Sequence, residues 1–596
     1  MNTRKKNIFY YYKWILNHYK EFKGYAVMLF LFTILSTAVT SLYPLVFKSI
    51  LDRIVEFFNN KDLINVNSLN QLKYNITGIL LLFALGMIIA NLYPYYRGKL
   101  NLKFEMLLRN IYFKKLLQKQ HPFFMKFRTG DVTTRITTDI KSHPPGIPWF
   151  MCSGFFRAFN SLCIVIFCVA IMFSLDYKLT LISIIPVPFV VGVFFILEKK
   201  IRAIFSETRK RVSITNDFLE SAFSGIKIVK SFSAELFQKE KFKKVLEERF
   251  DIEVEAVKIM GLFHVFFTVI IHIAQVAVLF YGGIKVINGD ITVGTYFAFY
   301  TYLGMIIFPL IDIPQFFVTG SQAFTVIDRL DEIDDYMYDI EDESTKVELE
   351  DKIQNIVFEN VSFKFENKDY NSKEPFSLKN ISFKINGGEK IAIIGRIGSG
   401  KTTLLNVFSG IYIHDKGKIL INNIPVENIS RNSYLKKIGY IQQEPLIFSE
   451  SIWSNIDFWR NISEEIIIRN SKMSQLHEEI DKLDKKYEEK LGQKGIGLSG
   501  GQRQRLSIAR ALSGYPDIIL MDDITSALDA ENEKMFWQQL EKEHKDITCI
   551  IVTHRMSTAL MADKIIVLNN GKIEAFGKHN ELIKKSPIYK ELYSEN

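Results

Sequence analysis

Eight residues of this sequence have the types and the spacing of a loop that binds phosphate groups. Gly395–Thr402 fits the pattern G-x-x-x-x-G-K-[ST], between an apolar strand-like run and a helix-like run. The glycines let backbone N–H groups converge on phosphate oxygens, and the start of the helix adds positive potential. The lysine is expected to reach the β- and γ-phosphates of a nucleotide, and the threonine to bind Mg²⁺. The predicted nucleotide-binding residues here are Gly395, Arg396, Ile397, Gly398, Ser399, Gly400, Lys401, Thr402 and Thr403.

A second element with the chemistry of a nucleotide site is the apolar run Ile518–Met521, which ends in Asp522 and Asp523. A carboxylate at the end of a buried strand beside a phosphate-binding loop can hold Mg²⁺, directly or through water. We assign that role to Asp522. The sequence therefore predicts one site that binds a nucleotide together with Mg²⁺.

The predicted strands and helices that position these residues indicate an α/β domain. Short apolar runs predict strands, and the segment from Lys401 onward predicts a helix that follows one of them. The predicted strands include Ile356–Phe358, Phe383–Ile385 and Ile391–Ile394. We predict a nucleotide-binding domain over 353–596, an acidic linker over 331–352 and a transmembrane domain over 1–330.

The region before the linker is rich in Phe, Ile, Leu, Val and Tyr, and 49 Phe residues in the chain are many for a soluble protein. Six apolar stretches are long enough to cross a bilayer, which takes about 20 residues. The long polar segments 97–149 and 198–258 carry many Lys and Arg, which places them and both termini in the cytoplasm of a multi-pass cell-membrane protein. The predicted spans are Gly24–Leu45, Ile76–Tyr96, Phe150–Ser174, Leu179–Leu197, Met260–Gly283 and Val293–Val318.

Four ionisable residues interrupt these spans: Arg157, His264, His272 and Asp312. Such groups usually face a bundle interior or a cavity. Structural pairing and substrate contact both remain open, and pairing is favoured. The net charge of +10 is spread along the chain without a nucleic-acid motif, so we expect a lipid-bilayer partner and no nucleic acid. The four Cys lack metal-ligand spacing and are expected to be reduced.

Taken together, the motifs resemble those of an ATP-binding-cassette (ABC) transporter half of the exporter type, with six membrane helices fused to a C-terminal nucleotide-binding domain. Beyond Gly395–Thr402, the resemblance rests on Leu498–Gln502, Ser526–Asp529, Gln443–Pro445 and His554. It covers nearly the whole chain. The segments from Gly130 to Asp139 and from Ser221 to Phe232 also resemble the intracellular coupling segments of exporters.

The resemblance implies a role for each matched residue. Phe365 would stack on adenine, Gln443 would contact Mg²⁺ and the attacking water, and His554 would contact the γ-phosphate of ATP. The signature residues would face ATP held by the opposite domain, so two nucleotide domains would form a head-to-tail sandwich around two ATP molecules. These signature residues are Ser499, Gly500, Gly501 and Gln502.

The sequence departs from the family pattern where that pattern places a glutamate after the Asp522 position. Asp523 stands there, Ile524 replaces the expected proline, and Gln493 stands where Glu is usual. Aspartate is one methylene shorter, and a displacement of about 1 Å can cost about a hundredfold in rate. A weakened carboxylate beside an intact signature resembles one subunit of a heterodimeric exporter, whose partner carries the glutamate. A slow homodimer, which the intact His554 allows, is the alternative.

The resemblance implies ATP-driven export of a small amphiphilic or hydrophobic substrate, such as a drug, lipid or peptide, by alternating access. Two other functions on this architecture stay open: import of a chelated metal, and a regulatory membrane protein that hydrolyses ATP and transports nothing. The six apolar stretches exclude a soluble enzyme. The sequence does not identify the substrate.

Overall fold

A computed structural model describes most of the chain, namely residues 6–59, 66–141, 146–336, 345–365, 377–492, 495, 497–524 and 530–595. The chain divides into two compact units. One comprises Met1–Gln118 and Phe127–Met337, and the other comprises Lys119–Lys126 and Tyr338–Asn596. The finer bounds 1–330, 331–352 and 353–596 stay a prediction.

The first unit is helical throughout its described residues. Long apolar helices dominate it, and short helices lie between them. The helices are α1 (Ile8–Tyr19), α2 (Lys23–Asn59), α3 (Val66–Gln118), α5 (Thr129–Thr137), α6 (Ile147–Trp149), α7 (Phe155–Leu175), α8 (Tyr177–Ile184), α9 (Pro186–Ser224), α10 (Ile226–Ser231), α11 (Glu235–Ile287) and α12 (Val293–Asp334), while α4 (His121–Lys126) falls in the second unit.

Five of the six predicted spans coincide with helices long and apolar enough to cross a membrane, within the part of the chain that the structure describes. The exception is Leu179–Leu197, which is helical but divided at Ile185 between α8 and α9. Pro186 opens α9 and has no N–H to continue the hydrogen-bond ladder of α8. The five candidate spans are Ile8–Asn59, Ile76–Gln118, Ile147–Leu175, Thr268–Ile287 and Val293–Asp334.

Helix packing in this unit relies on apolar side chains and on a few buried polar links. The core includes Leu179, Val278, Phe299 and Tyr302, which come from α8, α11 and α12. The hydroxyl of Tyr302 donates to the carbonyl oxygen of Ser41 at 2.7 Å, which joins α12 to α2. The transmembrane unit is therefore a packed helical bundle, in which side chains also donate hydrogen bonds to backbone carbonyl groups.

Two of the ionisable groups in the spans contact neutral side chains, and the expected structural pairing of these groups stays a prediction. The imidazole of His272 contacts Gln275 at 2.9 Å, and the carboxylate of Asp312 accepts from Ser161 at 3.1 Å. Neither group, nor Arg157, forms an ion pair among the described side chains. The side chain of His264 lies outside what the structure describes.

The second unit contains two sheets with helices around them. A mainly parallel sheet has the strand order β10-β9-β3-β8-β7-β6, and an antiparallel sheet has the order β2-β1-β4-β5. The strands are β1 (Asn355–Lys364), β2 (Ser377–Asn386), β3 (Lys390–Ile394), β4 (Lys416–Ile421), β5 (Ile424–Pro425), β6 (Ile438–Ile441), β7 (Ile518–Asp522), β8 (Thr548–Val552), β9 (Lys564–Asn569) and β10 (Lys572–Gly577).

The helices of the second unit alternate with these strands, as the sequence predicts for an α/β domain. Strand β3 leads directly through Gly395–Gly400 into the first of them. In chain order the helices are α13 (Lys401–Phe408), α14 (Arg431–Lys436), α15 (Ile452–Asp457), α16 (Glu464–Met473), α17 (His477–Asp481), α18 (Gly500–Leu512), α19 (Ala530–Glu543), α20 (Met556–Ala559), α21 (His579–Lys585) and α22 (Pro587–Glu595).

Candidate functional site

The candidate site lies where four neighbouring parallel strands of the larger sheet end. Strand β3 pairs with β8, β8 pairs with β7, and β7 pairs with β6. The residues that follow these strands are Gly395, His554, Asp523 and Gln443. Since the carboxyl ends of parallel strands share one edge, residues far apart in the sequence meet there.

The loop after β3 has a backbone that suits glycine. Gly398 and Gly400 have φ angles of +79° and +104°, which disfavour any side chain. A Cβ atom on Gly395 would lie 2.2 Å from the carbonyl oxygen of Leu568. The loop therefore approaches the end of β9 closely, and Gly400 then caps α13 so that its first N–H groups face the cleft.

Lys401 is buried at the start of α13 and folds over this loop. Its Nζ donates to the carbonyl oxygens of Gly395 at 2.9 Å and Arg396 at 3.1 Å. Burial lowers the pKa of Lys401, while the neighbouring carboxylates of Asp522 and Asp523 oppose that shift. The ammonium group therefore lies beside the backbone N–H groups that would donate hydrogen bonds to phosphate oxygens.

Thr402 and Asp522 contact each other across the cleft. The threonine hydroxyl donates to Oδ1 of Asp522 at 3.1 Å. Burial raises the pKa of Asp522, and the hydrogen bond from Thr402 opposes that effect. A hydroxyl and a carboxylate oxygen at this spacing are hard ligands of the kind that Mg²⁺ prefers. The residues present therefore fit a magnesium ion bound between α13 and β7.

Asp523 occupies the next position in an uncommon backbone conformation, with φ of +46°. Its N–H donates to the carbonyl oxygen of Val552 at 3.0 Å, and its Oδ2 accepts from Nε2 of Gln443 at 3.5 Å. Burial raises the pKa of Asp523, against the effect of His554 and Lys401. Aspartate tolerates the left-handed region better than most residues do.

His554 lies on the solvent side of this group. Partial desolvation lowers its pKa, the charge of Lys401 acts in the same direction, and Asp523 opposes both. The neutral imidazole is therefore favoured relative to an ordinary histidine. Neutral imidazole can donate a hydrogen bond from one nitrogen and accept one at the other.

These groups line one cleft of about 690 Å³. Most of the predicted residues converge in it, together with Val552, which the sequence analysis missed. The predicted residues that line the cleft are Ile397, Gly398, Gly400, Lys401, Thr402, Thr403, Gln443, Asp522, Asp523 and His554.

Three residues of the phosphate-binding loop are not among the lining residues. Gly395 and Arg396 present their carbonyl groups to Lys401, and the Arg396 side chain pairs with Glu591 on α22 instead. The Ser399 side chain is buried, and its carbonyl accepts from the N–H of Gly571. These residues therefore contribute to the conformation of the loop through backbone contacts and do not line the cleft.

Phe365 directly follows β1 and is not among the residues that line the cleft. It belongs to an aromatic group that the sequence analysis only partly identified. Its ring makes edge contacts with Phe363 at 4.9 Å and Tyr412 at 5.6 Å, measured between centroids. Tyr412 stacks on Phe363 at 5.0 Å and also contacts His121 of α4 at 5.5 Å. The predicted adenine-stacking residue is thus held by aromatic rings from separate elements.

The signature residues do not line the cleft of their own chain. Ser499 caps α18, accepting from the N–H of Gln502 at 3.2 Å, while Gln502 accepts from the N–H of Ser499 at 2.7 Å. Gly500 and Gly501 form the first turn of α18. Glu479, which the sequence analysis missed, accepts from Gln502 at 2.8 Å and pairs with Arg505 at 2.5 Å. The predicted motif Ser526–Asp529 and Gln493 lie outside the described residues.

The chain matches two family models, in the order that the sequence predicts. Residues 26–310 match the ABC transporter transmembrane region, and residues 378–526 match the ABC transporter model. The first match covers much of the helical unit. The second includes the phosphate-binding loop, the signature and the Asp522–Asp523 pair.

Individual proteins show the same arrangement. An ABC transporter ATP-binding protein of Bacillus subtilis is 30% identical over 562 residues, which is 94% of this chain and 93% of that protein. An ATP-dependent lipid A-core flippase of Syntrophus aciditrophicus is 31% identical, over 82% of this chain and 79% of that protein. The solved structure of a bacterial Atm1-family ABC exporter with ATP bound superposes with a TM-score of 0.79 at 22% identity, over 96% of this chain and 98% of that one, which shows a shared fold. The chain, with its helical membrane region and its ATP-hydrolysing domain coupled to transport, belongs to the ABC transporters.

Proposed function

We propose that this chain is one half of an exporter that uses ATP to move an amphiphilic substrate, a drug, lipid or hydrophobic peptide, out across the cell membrane. Its membrane helices would bind the substrate, and closure of two nucleotide domains around ATP would drive alternating access. A relative of similar length is named as a lipid A-core flippase, which supports a substrate with an apolar part. Both termini would lie in the cytoplasm.

The observation that carries the finer proposal is the position of Asp523. Its carboxylate lies 3.5 Å from Gln443, beside His554, where the base that orients the attacking water is required. Aspartate is one methylene shorter than glutamate, so its carboxylate would reach less far toward a water that attacks the γ-phosphate, and a displacement of about 1 Å can cost about a hundredfold in rate. We infer that the chain's own ATP site turns over slowly.

The other cleft residues would bind ATP and position it. Lys401 and the N–H groups of the loop would hold the β- and γ-phosphates, Phe365 would stack on adenine, and His554 would donate to the γ-phosphate. Mg²⁺ would be held by Thr402 and Asp522, with Gln443 nearby, and would neutralise charge on the phosphates.

The partner would be a second half-transporter that carries the missing glutamate. The signature of this chain is capped and anchored through Glu479, yet it does not line the chain's own cleft. A polar turn that opens a helix is suited to bind an anion. It would therefore complete the faster ATP site of a different chain.

The test is the ATPase rate of the purified full chain in lipid nanodiscs, compared with Asp523→Glu and Asp523→Asn. The wild-type chain should be slow, the glutamate variant should gain about tenfold to a hundredfold, and the asparagine variant should be slower still. A fast dimeric wild-type chain that gains nothing from glutamate would make this a homodimeric exporter. ATP-driven uptake of a fluorescent amphiphile into inside-out vesicles tests export itself.

A further inference from the structure

A polar contact in the membrane region joins α7 to α12. The hydroxyl of Ser161 donates to Oδ2 of Asp312 at 3.1 Å. Ser161 is buried, whereas Asp312 keeps part of its side chain exposed in the single chain. The hydroxyl therefore supports one carboxylate oxygen of a side chain that is only partly buried.

Two carboxylates of the helical unit are balanced by cations, whereas Asp312 has no such partner among the described side chains. Asp176 pairs with Lys285 between α8 and α11, and Asp139 pairs with Arg329 at 2.6 Å. Among the described side chains, no basic group lies within 4.0 Å of the Asp312 carboxylate. An ionised group in an apolar span is costly unless it faces a cavity or gains a partner.

Aromatic rings flank this carboxylate along the same helix. Phe308 and Phe316 lie one turn to either side of Asp312 and so share its face of α12. Phe308 is 73% exposed, and Phe316 stacks on Phe150 with ring centroids 5.1 Å apart. A carboxylate with an aromatic residue one turn away on each side suits a cation with apolar substituents, since both the charge and the rings attract it.

We propose that Asp312, supported by Ser161 and flanked by Phe308 and Phe316, binds the positively charged group of a lipophilic cation. This proposal rests on the proposed export of an amphiphilic substrate and narrows that substrate to a cationic class. A competing charge is that of Arg157, which is exposed and precedes Ser161 by one turn of α7. If Asp312 served only to neutralise Arg157, no cation would be required.

Binding can be measured without ATP turnover, on the full chain in nanodiscs with empty nanodiscs subtracted. The probes are tetraphenylphosphonium and tetraphenylborate, which have nearly the same shape and opposite charge. Wild type should bind the phosphonium more tightly than the borate, and Asp312→Asn should weaken phosphonium binding about tenfold, which corresponds to the loss of one favourable charge contact. Asp312→Glu should retain most of the affinity. Asp290→Asn, in the exposed turn before α12, is the matched control and should change nothing.

Unchanged phosphonium binding in Asp312→Asn, or a wild-type preference for the borate, would overturn the proposal. So would a gain in borate binding without a loss for the phosphonium, because that result assigns Asp312 to Arg157. ATP-driven uptake into vesicles separates the two proposals. If phosphonium binding depends on Asp312 but vesicles containing the Asp523→Glu variant accumulate neither ion, the export proposal is wrong and the proposal of a cation site is retained. If the vesicles accumulate amphiphiles but phosphonium binding does not depend on Asp312, the proposal of a cation site is wrong and the export proposal is retained.

Discussion

The hydroxyl of Thr402 lies 3.1 Å from a carboxylate oxygen of Asp522, which joins the first turn of α13 to the end of β7. The two groups satisfy each other by this hydrogen bond. The same two oxygens are the pair that we assign to Mg²⁺, so the contact keeps both ligands close together.

Removing the Thr402 hydroxyl should weaken magnesium-dependent ATP binding. We expect Thr402→Ala to lower the affinity for ATP with Mg²⁺ by about tenfold or more, by analogy with the losses seen for residues that orient metal ligands. Thr402→Ser keeps the hydroxyl and should stay close to wild type. Titration with a fluorescent ATP analogue, with Mg²⁺ and with EDTA, measures both effects. Equal losses in Mg²⁺ and in EDTA would show that the hydroxyl does not act through the metal.

The buried carboxylate of Asp522 should make the nucleotide-free domain less stable. Its pKa is raised by burial, so the folded state binds a proton more readily than the unfolded state. The ionised group therefore costs the most stability at pH values above its folded pKa, and that cost declines as pH falls through the folded pKa and is lost below the unfolded pKa. Asp522→Asn should raise the unfolding temperature at neutral pH while abolishing hydrolysis, and the gain should shrink in acid.

Thermal unfolding of the nucleotide-free chain, followed by tryptophan fluorescence at several pH values, checks this prediction. Asp546→Asn changes a carboxylate whose side chain is 85% exposed and should leave the unfolding temperature unchanged. A lower unfolding temperature for Asp522→Asn would mean that the carboxylate stabilises the empty cleft through contacts with Lys401 or Thr402, and the sign of the prediction would be wrong.

The aromatic group around Phe365 should determine how well the adenine ring is held. Stacking of a base on an aromatic side chain contributes about 1–3 kcal/mol, so Phe365→Ala should weaken ATP binding roughly tenfold. Phe365→Tyr should bind like wild type. Tyr412→Ala should cause a smaller loss, because Tyr412 contacts Phe365 edge-on and supports its position. Comparing ATP with inorganic triphosphate shows whether the loss concerns adenine, since triphosphate binding should not change.

The sequence was sufficient where a local pattern determined the structure. The glycine spacing predicted the loop between β3 and α13, and the apolar run ending in Asp522 predicted β7. Five apolar stretches correspond to candidate membrane spans. The remaining stretch, Leu179–Leu197, is divided between two helices. Pro186 was visible in the sequence, but its effect on the helix before it was not considered.

Contacts between distant segments could not be predicted. His121 meets Tyr412 because α4 groups with the nucleotide-binding unit, although the residues on both sides of it in the sequence belong to the helical unit. The aromatic run after His121 was the available signal. Likewise, Glu479 receives hydrogen bonds from α18, but an acidic residue in a charged segment gives no indication of its partner. Local periodicity determines elements, and tertiary packing determines which residues meet.

Two glycines of the phosphate-binding loop should differ in what they tolerate. A Cβ atom on Gly395 would lie 2.2 Å from the backbone oxygen of Leu568, whereas one on Gly398 would meet nothing within 4 Å. Gly398→Ala should therefore cost only the strain of a left-handed residue, about 1–2 kcal/mol. Gly395→Ala must also displace backbone and should cost about 3 kcal/mol or more. The unfolding temperature should decrease from wild type to Gly398→Ala to Gly395→Ala. The reverse order would mean that the loop can move away from β9, and that its close approach there does not require glycine.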